Sequence, residues 1–312
     1  MSWLTMMATW GDGLFTLAAE AIRQDFAGHA VRGLTRDGRG GALAIIDNRT
    51  LVRRSANAEW RTVFASSTDL SCCIEVGETI YAGTEDAHVL RIDAEGRCEP
   101  LTGFDAVAGR HSWYAGAAMV NGKLIGPPLG VRSMTVTCDG TALLVNVHVG
   151  GIPRSIDGGR SWHPTIDIEV DVHDVYAHAT RPDLVIAASA AGLCVSRDAG
   201  ATWTVEHEGL DASYCSAVAF AGNDILVASS AEHFAPQGAL YRRAIGEAGP
   251  LRRIEGLPRW ITGICDTDCM DVNGSAVALA DRAGNVYVSE DLGRTWECRA
   301  TGHPGPSSVA IV

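Results

Sequence analysis

At 312 residues, with 46% hydrophobic side chains, 20% charged side chains and 35 glycines, the chain could make two ordinary domains, but radial β architectures of this length fold as one. Its formal net charge of −12 excludes a nucleic-acid partner, because neutralising phosphates needs a surplus of lysine and arginine. It has no apolar run of the roughly 18 residues a membrane span needs, and residues 1–5 lack a charged leader followed by an apolar core, so a soluble, cytoplasmic protein without a membrane partner is expected.

In chain order, residues 5–10, 13–17 and 21–26 read as three strands that lack an innermost partner before them. Residues 51–55 followed by Trp60, and 89–93 followed by Gly96, read as strand-and-turn units of one kind. After a long interruption at 105–130, the same unit appears in clear form three times: SIDGGRSW at 155–162, SRDAGATW at 196–203 and SEDLGRTW at 289–296. The aspartate can accept hydrogen bonds from turn amides, the glycine supplies a backbone conformation that a Cβ penalises, and the tryptophan is expected to bury its ring between sheets. The first two copies begin 41 residues apart and the last two 93, about twice a propeller-blade period of roughly 40–50 residues. Residues 239–243 and 250–255 supply the strands of the blade between them. The chain ends in residues 307–312, a strand with no partners after it.

The Ser-x-Asp-x-Gly-x-(Ser/Thr)-Trp units resemble the Asp-box, or BNR repeat, of sialidase-like β-propellers. With seven third-strand signatures and complementary strand deficits at the termini, the reading is an all-β, seven-bladed β-propeller, a single domain over 1–312 closed by N- and C-terminal strands sharing one blade. The boxes occupy turns opposite the functional face, so Asp157, Asp198 and Asp291 are read as structural. The resemblance does not extend to a sialidase site. The Phe/Tyr-Arg-Ile-Pro motif is missing, its nearest counterparts being Arg91-Ile92-Asp93 and Arg253-Ile254-Glu255, and no arginine triad is apparent.

Turns from the second to the third strand and turns between blades should open onto one funnel face. That face should collect His148, Asp171, His173, Glu232 and His233 as catalytic candidates, with Tyr214, Arg259 and Trp260 from interblade turns. The 105–130 insertion should bring His111, Trp113 and Tyr114 over the funnel, since long loops in compact domains are usually functional. Neutral imidazoles suit either acid/base chemistry or a divalent metal, and an adjacent carboxylate can orient them. His148, His173 and His233 look similar to the metal-holding histidines of certain polysaccharide lyase propellers. In such a scheme the metal or Arg132 would stabilise a substrate carboxylate while Tyr114 or a free histidine removes a proton. His88, His163, His178 and His207 are read as ordinary surface or packing residues.

The nine cysteines have no disulfide-framework spacing and are expected to stay reduced, most of them as small side chains beside the innermost strands. The expected function is an enzyme acting on a small molecule or sugar, of lyase or hydrolase type. The alternative is a non-catalytic propeller gripping a protein partner, as BNR-type assembly factors do.

Overall fold

A computed structural model describes residues 3–18, 21–116, 118–120, 123–126 and 129–312. Alternating, β-rich segments fold into seven four-stranded antiparallel blades around a central channel. From blade 1 to blade 6 the innermost strands are Val31–Arg36, Leu70–Val76, Val131–Val136, Val172–Ala177, Tyr214–Ala221 and Met270–Asn273. Blade 7 takes its innermost strand, Pro306–Ile311, from the C-terminus and the other three, Thr5–Thr9, Leu14–Leu17 and Ile22–Asp25, from the N-terminus. Met7 pairs with Val309 in that closure, so no sheet edge is left where the ring meets itself.

Each innermost strand presents an edge that its own blade cannot pair, and in blades 1, 4, 5 and 7 a side chain of the preceding blade accepts from it. Leu34 N–H donates to Ser308 Oγ (3.1 Å), Val175 N–H to Ser133 Oγ (3.1 Å), Val218 N–H to Asp174 Oδ2 (3.3 Å) and Ile311 N–H to Asp271 Oδ2 (2.8 Å). At the channel end away from the funnel, Asp271 also accepts from Tyr176 Oη (3.3 Å) and lies 3.4 Å from Arg36 Nη2, tying blades 1, 4 and 6 together. The core consists of apolar clusters between successive blades rather than one central mass.

The three repeated turns are built alike. Asp157 Oδ1 accepts from the amides of Arg160 and Ser161 (both 2.9 Å), and Ser155 Oγ accepts from Gly159 N–H (2.9 Å). Asp198 and Asp291 repeat this with Thr202 and Thr295 (both 2.8 Å). Hydrogen bonds from turn amides and hydroxyls outweigh desolvation and hold all three carboxyls below their ordinary range. Of the tryptophans in these three turns, Trp162 is buried, because Phe104 packs on it edge-on at 5.1 Å, whereas Trp203 and Trp296 are half-buried.

Cys265 and Cys269 lie fully buried just before the blade 6 inner strand rather than on it, and pack into an apolar cluster. All nine cysteines are free. The 105–130 insertion contains a short helix end at Thr102–Asp105, a 3₁₀ turn at Arg110–Ser112 and a hairpin, Ala118–Val120 with Lys123–Ile125; residues 117, 121, 122, 127 and 128 lie outside the described set. No described helix is long and apolar enough to cross a membrane.

Candidate active site

A cavity of about 860 Å³ opens at the funnel end of the channel, and every blade contributes to its wall. Two local devices aim side chains into it. The first is a β-bulge near the start of the innermost strands: pairing slips between Val131 and Ser133 and between Val172 and Asp174, so Arg132 and His173 are the extra residues on adjacent blades. A bulge re-aims a side chain out of the regular alternation. His173 therefore belongs to the strand Val172–Ala177 and not, as its sequence context suggested, to the interblade turn. The second device is the turn from second to third strand, which carries His148 in blade 3 and Glu232 and His233 in blade 5. Next to His148, Val149 holds φ +42°, a conformation a β-branched residue avoids; strain of this kind gathers at functional sites.

The three imidazoles have different chemistry. His173 Nδ1 lies 2.6 Å from the Cys215 carbonyl, which can only accept, so the proton sits on Nδ1 and Nε2 is left to face Asp171 Oδ2 at 3.5 Å. Asp171 sits in the left-handed region (φ +51°), which aspartate tolerates better than most residues. Its burial alone would raise its pKa, but His173, with smaller help from His148 and Arg132, lowers it below the usual carboxylate value. Its Oδ1 is buried without a partner among the described residues.

His148 is pushed down to about 4, chiefly by burial and further by Arg132, so it is neutral at ordinary pH; its Nδ1 is also without a partner. Gly116 of the insertion lies so close over this ring that a Cβ there would overlap it. His233 is lowered by burial despite Asp266, and Arg282 donates to its carbonyl (2.6 Å) and lies 3.4 Å from its Nε2. Tyr214 stands between His173 and His233, its ring centroid 4.5 Å from one and 6.5 Å from the other. Among the described residues, no three His, Cys, Asp or Glu side chains are grouped so as to hold a metal ion, so His148, His173 and His233 share a cavity without forming a chelating triad.

Three guanidinium groups line the cavity. Arg32 pairs with Glu85, and Arg282 lies 3.5 Å from Asp266, whereas Arg132 has no hydrogen-bond or ion-pair partner among the described residues. Two further buried carboxylates, Asp268 on the cavity wall and Asp174 behind it in the strand Val172–Ala177, are raised chiefly by burial and further by neighbouring carboxylates, Asp268 acting on Asp174 and Asp266 and Asp271 acting on Asp268.

Glu232 is at the rim with no side-chain partner among the described residues. Five residues expected over the funnel stand outside the cavity. Trp113 turns into the core against Phe104 (5.7 Å), with Arg110 4.8 Å from its ring centroid, because the insertion needs an apolar anchor of its own. His111 is exposed in a shallow surface depression. The Tyr114 hydroxyl reaches Glu169 (3.4 Å). Trp260 stacks under Arg253 at 4.2 Å, and Arg259 offers its carbonyl to the same guanidinium. The pairing of Ile261–Thr262 with Gln237–Gly238 holds that segment to the blade 5 sheet.

The sequence reading did not single out Trp10, Arg32, Glu85, Phe234, Asp266, Asp268 and Arg282 as cavity residues. One signal was available: Val31-Arg32, Val131-Arg132 and Val172-His173 repeat a valine followed by a basic residue where an innermost strand begins.

No protein-family model matches the chain, and no curated protein matches its sequence. Solved structures do resemble it. A protein of Bacteroides uniformis provisionally described as a 6-phosphogluconolactonase aligns over 100% of both chains at 11% identity and a TM-score of 0.65. The GH74 xyloglucanase of Xanthomonas campestris covers 95% of this chain, which spans 46% of that enzyme, at 17% identity and 0.59. The computationally designed Ika8 protein covers 98% at 13% identity and 0.58. At these identities the likeness shows the fold alone.

Proposed function

We propose that the protein is an enzyme acting on a sugar or sugar-like small molecule in the funnel, by histidine acid/base chemistry of hydrolase or lyase type. The observation that carries this reading is the set His173, Asp171 and Arg132. One imidazole has its tautomer set by a backbone carbonyl, a carboxylate stands beside the nitrogen that would take a proton, and a guanidinium without a partner among the described residues occupies the same cavity. His173 Nε2 removes the proton from water or from a carbon beside a carbonyl. Asp171 stabilises the resulting imidazolium, and Arg132 stabilises the negative charge that develops on oxygen. His148, neutral, and His233 offer ring nitrogens that position the substrate, with Tyr214 packed between His173 and His233.

The wall suits a polyhydroxylated ligand: carboxylates and guanidiniums to meet hydroxyls, and aromatic faces to meet C–H surfaces. Structural neighbours described as a 6-phosphogluconolactonase and a xyloglucanase support a sugar substrate as a class. We further infer that the three repeated turns are Asp boxes of the sialidase-like kind, serving stability. The test is turnover of aldonolactones, uronic-acid esters and oligosaccharides by purified protein, read by proton release, reducing ends and the ultraviolet absorbance of unsaturated products. Turnover that Arg132→Met reduces without unfolding the protein supports the reading. No turnover of any member, together with a stable complex with another protein through this face, overturns it in favour of a binding module.

A further inference from the structure

We infer that the funnel contains a second, distal sugar subsite built on Trp10, so that the natural substrate is a glycoside of at least two rings. The inference deepens the proposed function, and depends on it only for which ring reacts. Trp10 follows the strand Thr5–Thr9 and stands in the blade 7 turn from second to third strand, its N–H donating to the Gly305 carbonyl (3.1 Å). Its side chain is 55% exposed and forms part of the cavity wall. An exposed tryptophan alone is unremarkable on a protein surface. This one is held: the Arg32 guanidinium lies 5.0 Å from its ring centroid, and Arg32 is itself fixed by Glu85 across the gap between blades 1 and 2.

The result is an indole face beside a guanidinium donor and a carboxylate acceptor, all on the cavity wall. A pyranose ring fits that combination, laying its C–H face on the indole while neighbouring hydroxyls donate to Glu85 and accept from Arg32. A nucleotide fits less well, because the wall carries more carboxylates (Glu85, Asp171, Glu232, Asp266, Asp268) than guanidiniums (Arg32, Arg132, Arg282) to meet several phosphate charges. A protein partner would require a contiguous apolar patch, but among the described residues only Trp10 and Phe234 of the exposed large hydrophobics line the cavity, between charged neighbours.

Position in the ring completes the inference. In a closed ring of seven blades, blade 7 lies opposite blades 3 and 4, which carry Arg132, His148, Asp171 and His173. The cavity between them, about 860 Å³, is near the upper end of the range for ligand pockets, and is larger than a single hexose needs. A ring on Trp10 and a ring at His173 therefore occupy opposite sides of one cavity.

The test is calorimetric titration of the full chain with glucose, xylose and galacturonic acid and with their β-1,4- or α-1,4-linked dimers to tetramers. At least one oligomer should bind roughly tenfold or more tightly than its monomer. Trp10→Ala should abolish that advantage without changing monomer affinity, and Trp10→Phe should keep most of it. Equal affinity for monomer and oligomer, an advantage that survives Trp10→Ala, or no binding by any member overturns the inference. Binding through Trp10 without turnover leaves the subsite standing and removes the catalytic reading, whereas turnover of monomeric substrates with no oligomer advantage does the reverse.

Discussion

His148 should make the protein lose stability as pH falls through the range where a free histidine titrates. In the unfolded chain its pKa is about 6.5; in the folded state, burial and Arg132 lower it to about 4. Between those values the unfolded state binds a proton that the folded state refuses. The stabilisation is therefore fully present above pH 6.5 and declines as pH falls towards 4. For this group alone the loss between pH 7.5 and pH 5 is about 2 kcal/mol. Other groups act at the same time: His178 and His233 are lowered by burial and act in the same direction, while Asp174 and Asp268, raised by burial, act in the opposite one. The informative quantity is thus a difference, the urea-unfolding free energy of wild type minus that of His148→Asn, followed from pH 7.5 to 4.5. The difference should shrink as pH falls, by about 2 kcal/mol at pH 5. A difference that stays constant with pH would show that His148 titrates normally and is not buried beneath the Gly116 segment.

Removing residues 307–312 should open blade 7 and sharply lower the melting temperature, because the deletion takes away the inner strand that Met7 pairs with, the Ser308 acceptor of Leu34 and the Ile311 donor to Asp271. A truncated chain that melts with wild type would contradict the ring closure. Trp162→Ala should cost about 3–5 kcal/mol in urea unfolding, as a large buried ring lost from the core. The same change at half-buried Trp203 should cost clearly less, and equal costs would show that the two turns are packed alike.

The blades were legible because each depends on local chemistry that recurs: an aspartate collecting amides, a glycine at positive φ, and short apolar strands at a fixed interval. Closure was legible from complementary deficits, three strands at one end and one at the other. The funnel was legible where a turn carried its residues, as for His148, Glu232 and His233, since turns declare themselves by position between strands. It was less legible where a bulge does the aiming. Sequence context places His173 on the funnel face through an interblade turn, whereas it reaches that face from the strand Val172–Ala177, turned inward by the register slip between Val172 and Asp174. Trp10, Arg32 and Glu85 belong to blades 7, 1 and 2, and nothing local marks them as neighbours. The aromatics of the 105–130 insertion misled for the opposite reason. A long loop needs an apolar anchor, and Trp113 joins Phe104 in the core to provide one.

The catalytic role of His173 is most directly tested by comparing kcat/KM for wild type and His173→Asn, on whichever sugar substrate the turnover panel identifies, with melting temperature recorded for both. Asparagine keeps a donor towards the Cys215 carbonyl but offers no basic nitrogen to Asp171. A loss of roughly 10²–10⁴-fold, carried by kcat in protein that melts with wild type, is predicted. Turnover in folded His173→Asn that stays within about twofold of wild type, where a general base contributes far more, would contradict the account.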